Sequence, residues 1–320
     1  MDELNEILTH LQGQLGALSG APVELDGGIT NRNLRVTLGD VEYVLRRPGR
    51  DTSLLGIDRE SERLAGEAAA RLGIGPEVAA SFEDCLLTRF VSCHALDAQA
   101  LSDSVEEIAG ALRRFHDSPT RLPSRFSVPN LLADYAAIVH ERGGALPGAY
   151  AQAQVAAARI AAALPAGSGR PCHNDLLAAN FIRAADDGRL LIVDWEYAGM
   201  GDPRFDLGNL SVNNAFDEAT DERLLGAYHG RAPVAGERAA HALMRVLSDA
   251  REGAWGVVQA HVSELDFDFD GYAREHLDRM AAAVARPEFE RWLQAAGAGT
   301  ASSPAPSPER QREGSRGQAA

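Results

Sequence analysis

Cysteine is scarce in this chain, with Cys85, Cys93 and Cys172 as the three in 320 residues, an odd number without paired spacing. That argues against a disulfide framework or a zinc site and fits a reducing compartment. Long apolar runs are missing too, since no stretch approaches the roughly 20 apolar residues of a membrane span. Met1 to His10 is acidic and amphipathic, without the apolar centre of a signal peptide. A cytoplasmic protein with no membrane attachment is expected. Basic charge is short as well, at 31 Lys and Arg against 46 Asp and Glu, a net of -15. A nucleic-acid partner is therefore not expected, because neutralising many phosphates needs clustered cations. The acidic balance leaves room for steering a cationic small molecule, although solubility alone accounts for it equally well.

What is present is an ordinary globular composition, 45% hydrophobic and 24% charged, with length for one large domain or two lobes around a cleft. Leu34, Val36 and Leu38 alternate, Gly39-Asp40 supplies a tight turn, and Val41, Tyr43 and Leu45 alternate again. This predicts a β-hairpin. A helix follows from Asp58, its N-cap, to Leu72, stopped by Gly73. Leu86 to Val91 reads as a short strand. From about Leu101 the pattern is helical, with segments at 104–116, 130–142 and 150–164. The interruption is Phe181 to Arg183, a polar turn over Ala184–Gly188, then Leu190 to Val193, which predicts a second hairpin. The division expected is residues 1–90, then 91–296, then a Gly, Ala, Ser and Pro-rich tail over 297–320 without the apolar bulk to order itself.

The chemistry concentrates in His173-Asn174-Asp175-Leu176-Leu177-Ala178-Ala179-Asn180 and Val193-Asp194-Trp195-Glu196. If 181–193 folds back on itself, Asn180 and Asp194 leave its open end side by side, with Asp175 in the loop that feeds it. Two carboxylates and an amide oxygen converging in this way suit phosphoryl transfer from Mg-ATP to an alcohol. Asp175 suits the proton-accepting role, and Asn180 and Asp194 suit Mg²⁺.

HNDLLAAN together with VDWEYAGMGDPRFDLGN resembles the paired signature of the choline/ethanolamine kinases, within the aminoglycoside-phosphotransferase-like kinases, from about Gly27 to Met280. The resemblance implies an α+β, bilobal protein-kinase-like fold with a small β-rich N-terminal lobe, a larger helical lobe and ATP between them. It implies Asp175 as catalytic base, Asn180 and Asp194 as Mg²⁺ ligands, and His173 as a structural member of the loop. Gly27 to Asn31 is similar to the family's short loop over the nucleotide phosphates, which brings in Thr30 and Asn31. Arg46 matches the strand cation that grips phosphate, and Glu62 matches its helix partner. Thr88 to Val91 fits the hinge against adenine. His116, where the family often has histidine, reads as a satisfied structural residue.

The acceptor implied is a small cationic alcohol, choline or a related amino alcohol. Aminoglycoside or thiamine kinases of the same fold, and a nucleotide-binding pseudokinase without turnover, are the alternatives. Tyr197 and Trp255 match aromatic positions of the choline pocket, which would grip a quaternary ammonium by its charge. Without the resemblance, Trp255 reads as a core aromatic on a helix. Glu196 and Asp206 are candidate carboxylates of that wall, or supports of the metal loop. Eukaryotic choline kinases carry a second Trp three residues on, and this chain has Val258 there.

Overall fold

A computed structural model describes residues 3–25, 31–50, 52–164 and 169–298. Helix α1 (Glu3–Leu15) buries Ile7, Leu8 and Leu11 against the first sheet. That sheet contains β1 (Val23–Leu25), β2 (Asn31–Leu38) and β3 (Val41–Pro48). The 34–45 alternation forms the predicted hairpin, with Leu38 opposite Val41 and Val36, Leu38, Tyr43 and Leu45 all buried. Gly39 sits at φ 61°, left-handed backbone that glycine enters without cost, and a β-carbon there would lie 3.0 Å from the Leu15 carbonyl oxygen.

Helix α2 (Arg59–Arg71) begins as its sequence predicts, with the Asp58 carboxylate accepting from the Ser61 amide at 2.6 Å. Strands β4 (Val78–Phe82) and β5 (Cys85–Arg89) complete a five-stranded sheet in the order β1-β2-β3-β5-β4. Beyond it lie β6 (Cys93–Ala95), α3 (Ala98–Asp103), α4 (Val105–His116), α5 (Val128–Glu141) and α6 (Gly148–Ala163). The middle of the chain then supplies β7 (Arg170–Cys172), β8 (Phe181–Ala184), β9 (Leu190–Ile192) and β10 (Gly199–Gly201). The second hairpin is β8–β9, with Phe181 opposite Ile192, and β6 extends it to three strands. The β7–β10 pair and β6 are three-residue strands, too short to leave a periodic trace in sequence.

The rest is helical: α7 (Pro203–Asn213), α8 (Glu218–His229), α9 (Ala235–Val262), α10 (Phe269–Val284) and α11 (Pro287–Ala298). Gly297 and Ala298 thus continue a helix where the sequence predicts the tail to begin, and the remainder of that tail lies outside the described residues. The result is the bilobal α+β, protein-kinase-like fold, a β-sheet N-terminal region followed by a larger helical part. Among the described residues, no helix is long and apolar enough to cross a membrane.

The 28-residue α9 is the axis of the helical part, buried along most of its length. Its neighbours come close because glycine permits it. A β-carbon on Gly208 of α7 would stand 2.6 Å from the Met244 β-carbon and 2.9 Å from the Arg245 amide nitrogen. Backbone cannot yield there as a flexible side-chain end can. Gly208→Ala is therefore expected to destabilise the protein by about 1–3 kcal/mol, the usual cost of overpacking, read as a lower midpoint in urea unfolding.

Candidate active site

The β8–β9 hairpin sets the geometry. The Val193 amide donates to the Asn180 carbonyl at 2.9 Å, so the residues flanking the two strands are tied at the open end. His173 adds a second tie: Nε2 donates to the Val193 carbonyl at 3.0 Å, and Nδ1 accepts from the Asp175 amide at 3.2 Å. This pair of partners fixes the neutral tautomer with hydrogen on Nε2, and burial lowers the ring's pKa in the same direction. Asn180 Nδ2 donates to the Asp175 carbonyl at 2.8 Å. Asp175, Asn180 and Asp194 are thereby held around one hairpin mouth.

Two residues there adopt left-handed backbone, Asn174 at φ 68° and Asp194 at φ 67°. Asn and Asp are the non-glycine residues that enter this region most readily, yet it still costs energy that neighbouring contacts must offset. Helix α7 provides those contacts from one face. Asp206 accepts from the His173 amide at 2.8 Å and the Asn174 amide at 2.7 Å, and Asn209 accepts from the Leu176 amide at 2.6 Å. His116 meets Asp206 at 2.9 Å and the Tyr228 hydroxyl at 2.8 Å, so it is the satisfied structural histidine its sequence context suggested. Burial would raise the Asp206 carboxyl, but the bond and charge of His116, with His173, hold it below the usual carboxylate range. Asp206 is fully enclosed and both its oxygens are engaged. Its position is beneath the loop, the second of the two places open to it from sequence, and not on an open pocket wall. The Cys172 sulfur lies close to this pair, but the bonded Asp206 and a thiol raised by burial make the cluster a poor metal site.

On the other side of the mouth, Arg46 of β3 donates from one nitrogen to Glu62 at 2.9 Å and to Asp194 at 2.5 Å. Burial would lower the Arg46 pKa, but Asp194, Glu62 and Glu196 together hold the guanidinium charged. Asn31 and Glu196 meet at 2.7 Å. Thr30 lies outside the described residues. Beside these groups is a cavity of about 290 Å³ whose lining includes Arg46, Glu62 and Asp194 and the segment Thr88 to Val91. The Arg89 and Phe90 amides within that segment are already bonded, to the Glu77 carbonyl at 2.8 Å and the Glu42 carbonyl at 3.0 Å. Trp255 donates to the Tyr197 hydroxyl at 2.9 Å, which brings the two predicted pocket aromatics together. Both are largely buried, and Val258 is packed wholly into the core.

A family model, APH, the phosphotransferase enzyme family, matches residues 23–247. The chain belongs to that family. It is 28% identical over 219 residues to Protein LicA of Haemophilus influenzae, a match covering 65% of this chain and 62% of that protein's length. A crystal structure of a choline/ethanolamine kinase family protein from Mesorhizobium loti superposes with a TM-score of 0.75 at 30% identity, covering 92% of this chain and 99% of that one. LicA in complex with AMP superposes at a TM-score of 0.70 and 23% identity, covering 88% and 100% of the two chains. The chain is accordingly a small-molecule kinase of this fold.

Two arginines of this phosphotransferase escape a reading of the sequence. Arg59, on the first turn of α2, donates to Glu62 at 2.7 Å and to Asn31 at 3.0 Å, and lies 3.6 Å from Glu196. Arg251 of α9 is 1% exposed and donates from Nη1 to Asp175 at 3.0 Å and to Glu252 at 2.8 Å. Its guanidinium carbon stands 4.4 Å from the Tyr197 ring centre. The available signal is its position one helical turn before Trp255, which puts both on one face. Burial pushes the Asp175 carboxyl up to about 8, with Arg251 pulling against it and Glu252, Asp194 and Glu196 adding to the rise.

Asp206→Asn is expected to cost about 1–3 kcal/mol at neutral pH, the penalty for a buried donor left without its acceptor, in urea unfolding. The Asp206 carboxyl titrates below its unfolded value, so its stabilisation is present above about pH 4 and lost as pH falls further. The variant should lack that part of the acid loss.

Proposed function

We propose that the chain transfers the γ-phosphoryl group of Mg-ATP to the hydroxyl of a small amino alcohol, the chemical class to which choline belongs. The observation that carries the reading is the hairpin mouth, where Asn180 and Asp194 flank the strands, Asp175 sits in the tied loop, and Arg46 reaches in from β3. In this reading residues 1–90 hold the nucleotide and 91–296 hold the catalytic loop and the acceptor alcohol.

Asp175 accepts the hydroxyl proton as the oxygen attacks. An ordinary carboxylate is a weak base for an alcohol, and the upward shift of Asp175 brings it closer to the task. Arg46, kept charged by its three carboxylates, offers a cation to the phosphates, and Glu62 orients it. The cavity bordered by Thr88 to Val91 and by Arg46 offers apolar side chains such as Val78, Phe90 and Ile182 for a base and a cation for the phosphates. Asn31 and Glu196 close the phosphate side.

The donors at the mouth fit magnesium. Asn180 spends its amide nitrogen on the Asp175 carbonyl and keeps its oxygen for a cation, and Asp194 adds a carboxylate. Both are hard oxygen donors of the kind Mg²⁺ prefers. When bound, the ion would neutralise phosphate charge. Most of the barrier reduction would then come from positioning and fixed charge. Tyr197 and Trp255 form the aromatic side of the acceptor site.

Asp175→Ala is expected to lower kcat by roughly 10²–10⁴-fold, the range for loss of a positioned base, with ATP affinity nearly unchanged. A coupled ADP-release assay alongside nucleotide titration checks it, and wild-type turnover in the variant refutes the role. In the wild-type enzyme kcat/KM should rise with pH through the Asp175 titration, because the base acts deprotonated. Trp255→Ala is expected to raise KM for the alcohol several-fold while KM for ATP stays constant. Equal changes in both would mark Trp255 as a packing residue alone.

A further inference from the structure

Arg251 is a buried charged group that the transfer chemistry above leaves unused. Its Nη1 is satisfied twice over, by Asp175 at 3.0 Å and Glu252 at 2.8 Å. Its Nε and Nη2 are buried and have no hydrogen-bond partner among the described residues. These two atoms form one edge of the planar guanidinium, the edge that takes a carboxylate bidentately. Buried donors left unmet are costly, and native sites rarely keep a pair of them without a ligand to meet them.

The same guanidinium covers the Tyr197 ring, 4.4 Å from its centre. A quaternary ammonium would seek that ring face, but a cation already belonging to the protein stands on it. The Trp255 ring is flanked by Phe269 and Tyr272 in edge contacts, at 5.8 and 5.6 Å between centres. The second Trp position holds Val258, which is fully buried. An aromatic cage for a bare organic cation is therefore both incomplete and occupied.

We infer that Arg251 is a specificity residue that selects an acceptor carrying its own carboxylate, so that the alcohol is a short hydroxy amino acid and not choline. This rests on the kinase reading above and narrows its substrate class. Arg251 touches Asp175 directly, so a carboxylate on the free edge of the guanidinium lies within a short carbon chain of the base that must meet the hydroxyl.

The test compares alcohols that differ by one carboxylate: L-serine against ethanolamine, and L-homoserine against 3-amino-1-propanol, with choline added. ADP release is followed with the full chain and Mg-ATP, for wild type, Arg251→Met and Arg251→Lys. The wild-type enzyme should favour one or both carboxylated members by on the order of 100-fold or more in kcat/KM, as expected where a site's buried polar groups must be met. Arg251→Met should lose that preference with KM for ATP unchanged, and Arg251→Lys should recover part of it. Ethanolamine, 3-amino-1-propanol or choline turned over as well as the acids by wild type overturns the inference and leaves the kinase reading standing. No alcohol-stimulated ADP release from any of the five overturns both. If Arg251→Met fails to fold by thermal melting, the wild-type comparison decides alone.

Discussion

Arg46 is the group on which the site depends. One of its nitrogens joins Glu62 of α2 to Asp194 at the end of the β8–β9 hairpin, so a single guanidinium connects the first sheet, the helix beside it and the helical part of the chain. Arg59 repeats the device from the first turn of α2, reaching Glu62, Asn31 and Glu196. Charges taken this far from water are tolerable only when paired. Two guanidiniums face three carboxylates in this network, which leaves a negative charge for which an incoming cation can compensate. The sequence contains no lysine, so all 31 basic residues are arginine. That choice suits Arg59, whose planar fork gives Nη1 to Glu62 and Nη2 to Asn31 where an ammonium acts as a point charge.

The second constraint is the loop 173–176, whose backbone would not hold its shape alone. Asn174 and Asp194 both occupy left-handed backbone, and each is stabilised by bonds that arrive from elsewhere in the chain. Asp206 receives two consecutive loop backbone amides, and the Asn174 side-chain Nδ2 donates to the Tyr197 carbonyl at 3.0 Å. Asp206 in turn is held by His116 from α4. Strain at the mouth is thus offset by an enclosed carboxylate whose geometry leaves no freedom to follow a substrate. A support of this kind must be rigid, and a pocket wall need not be.

Local features were legible in the sequence. Alternation around Gly39-Asp40 fixes the first hairpin and its register, Asp58 and Gly73 bracket α2, and the polar turn before Leu190 reveals the second hairpin. From that hairpin the convergence of Asn180 and Asp194 follows, because strand pairing puts flanking residues side by side. What escaped is long-range. Asp206 reads equally as wall or support until the fold shows which atoms it meets, and Glu196 meets Asn31 from 165 positions away. Arg59 looks like any first-turn helix residue, and Arg251 sits in a helix whose apolar neighbours dominate the pattern. Three-residue strands such as β7 and β10 leave no periodicity to detect.

The position of Arg251 joins two properties that would otherwise be independent. Its contact with Asp175 tempers the upward shift that burial imposes on that carboxyl, while Glu252 draws on the same guanidinium and limits how far. Its contact with Tyr197 fills the aromatic face on which an organic cation would rest. A group that sets base strength and also occupies the acceptor site couples recognition to reactivity: whatever draws the guanidinium aside changes the basicity of Asp175 at the same moment. An alcohol lacking an acceptor for Nε and Nη2 leaves Arg251 where it is, still bound to the oxygen that should receive the proton. Selectivity then arises from the state of the base as well as from affinity, and it needs no element beyond one arginine placed a helical turn before Trp255.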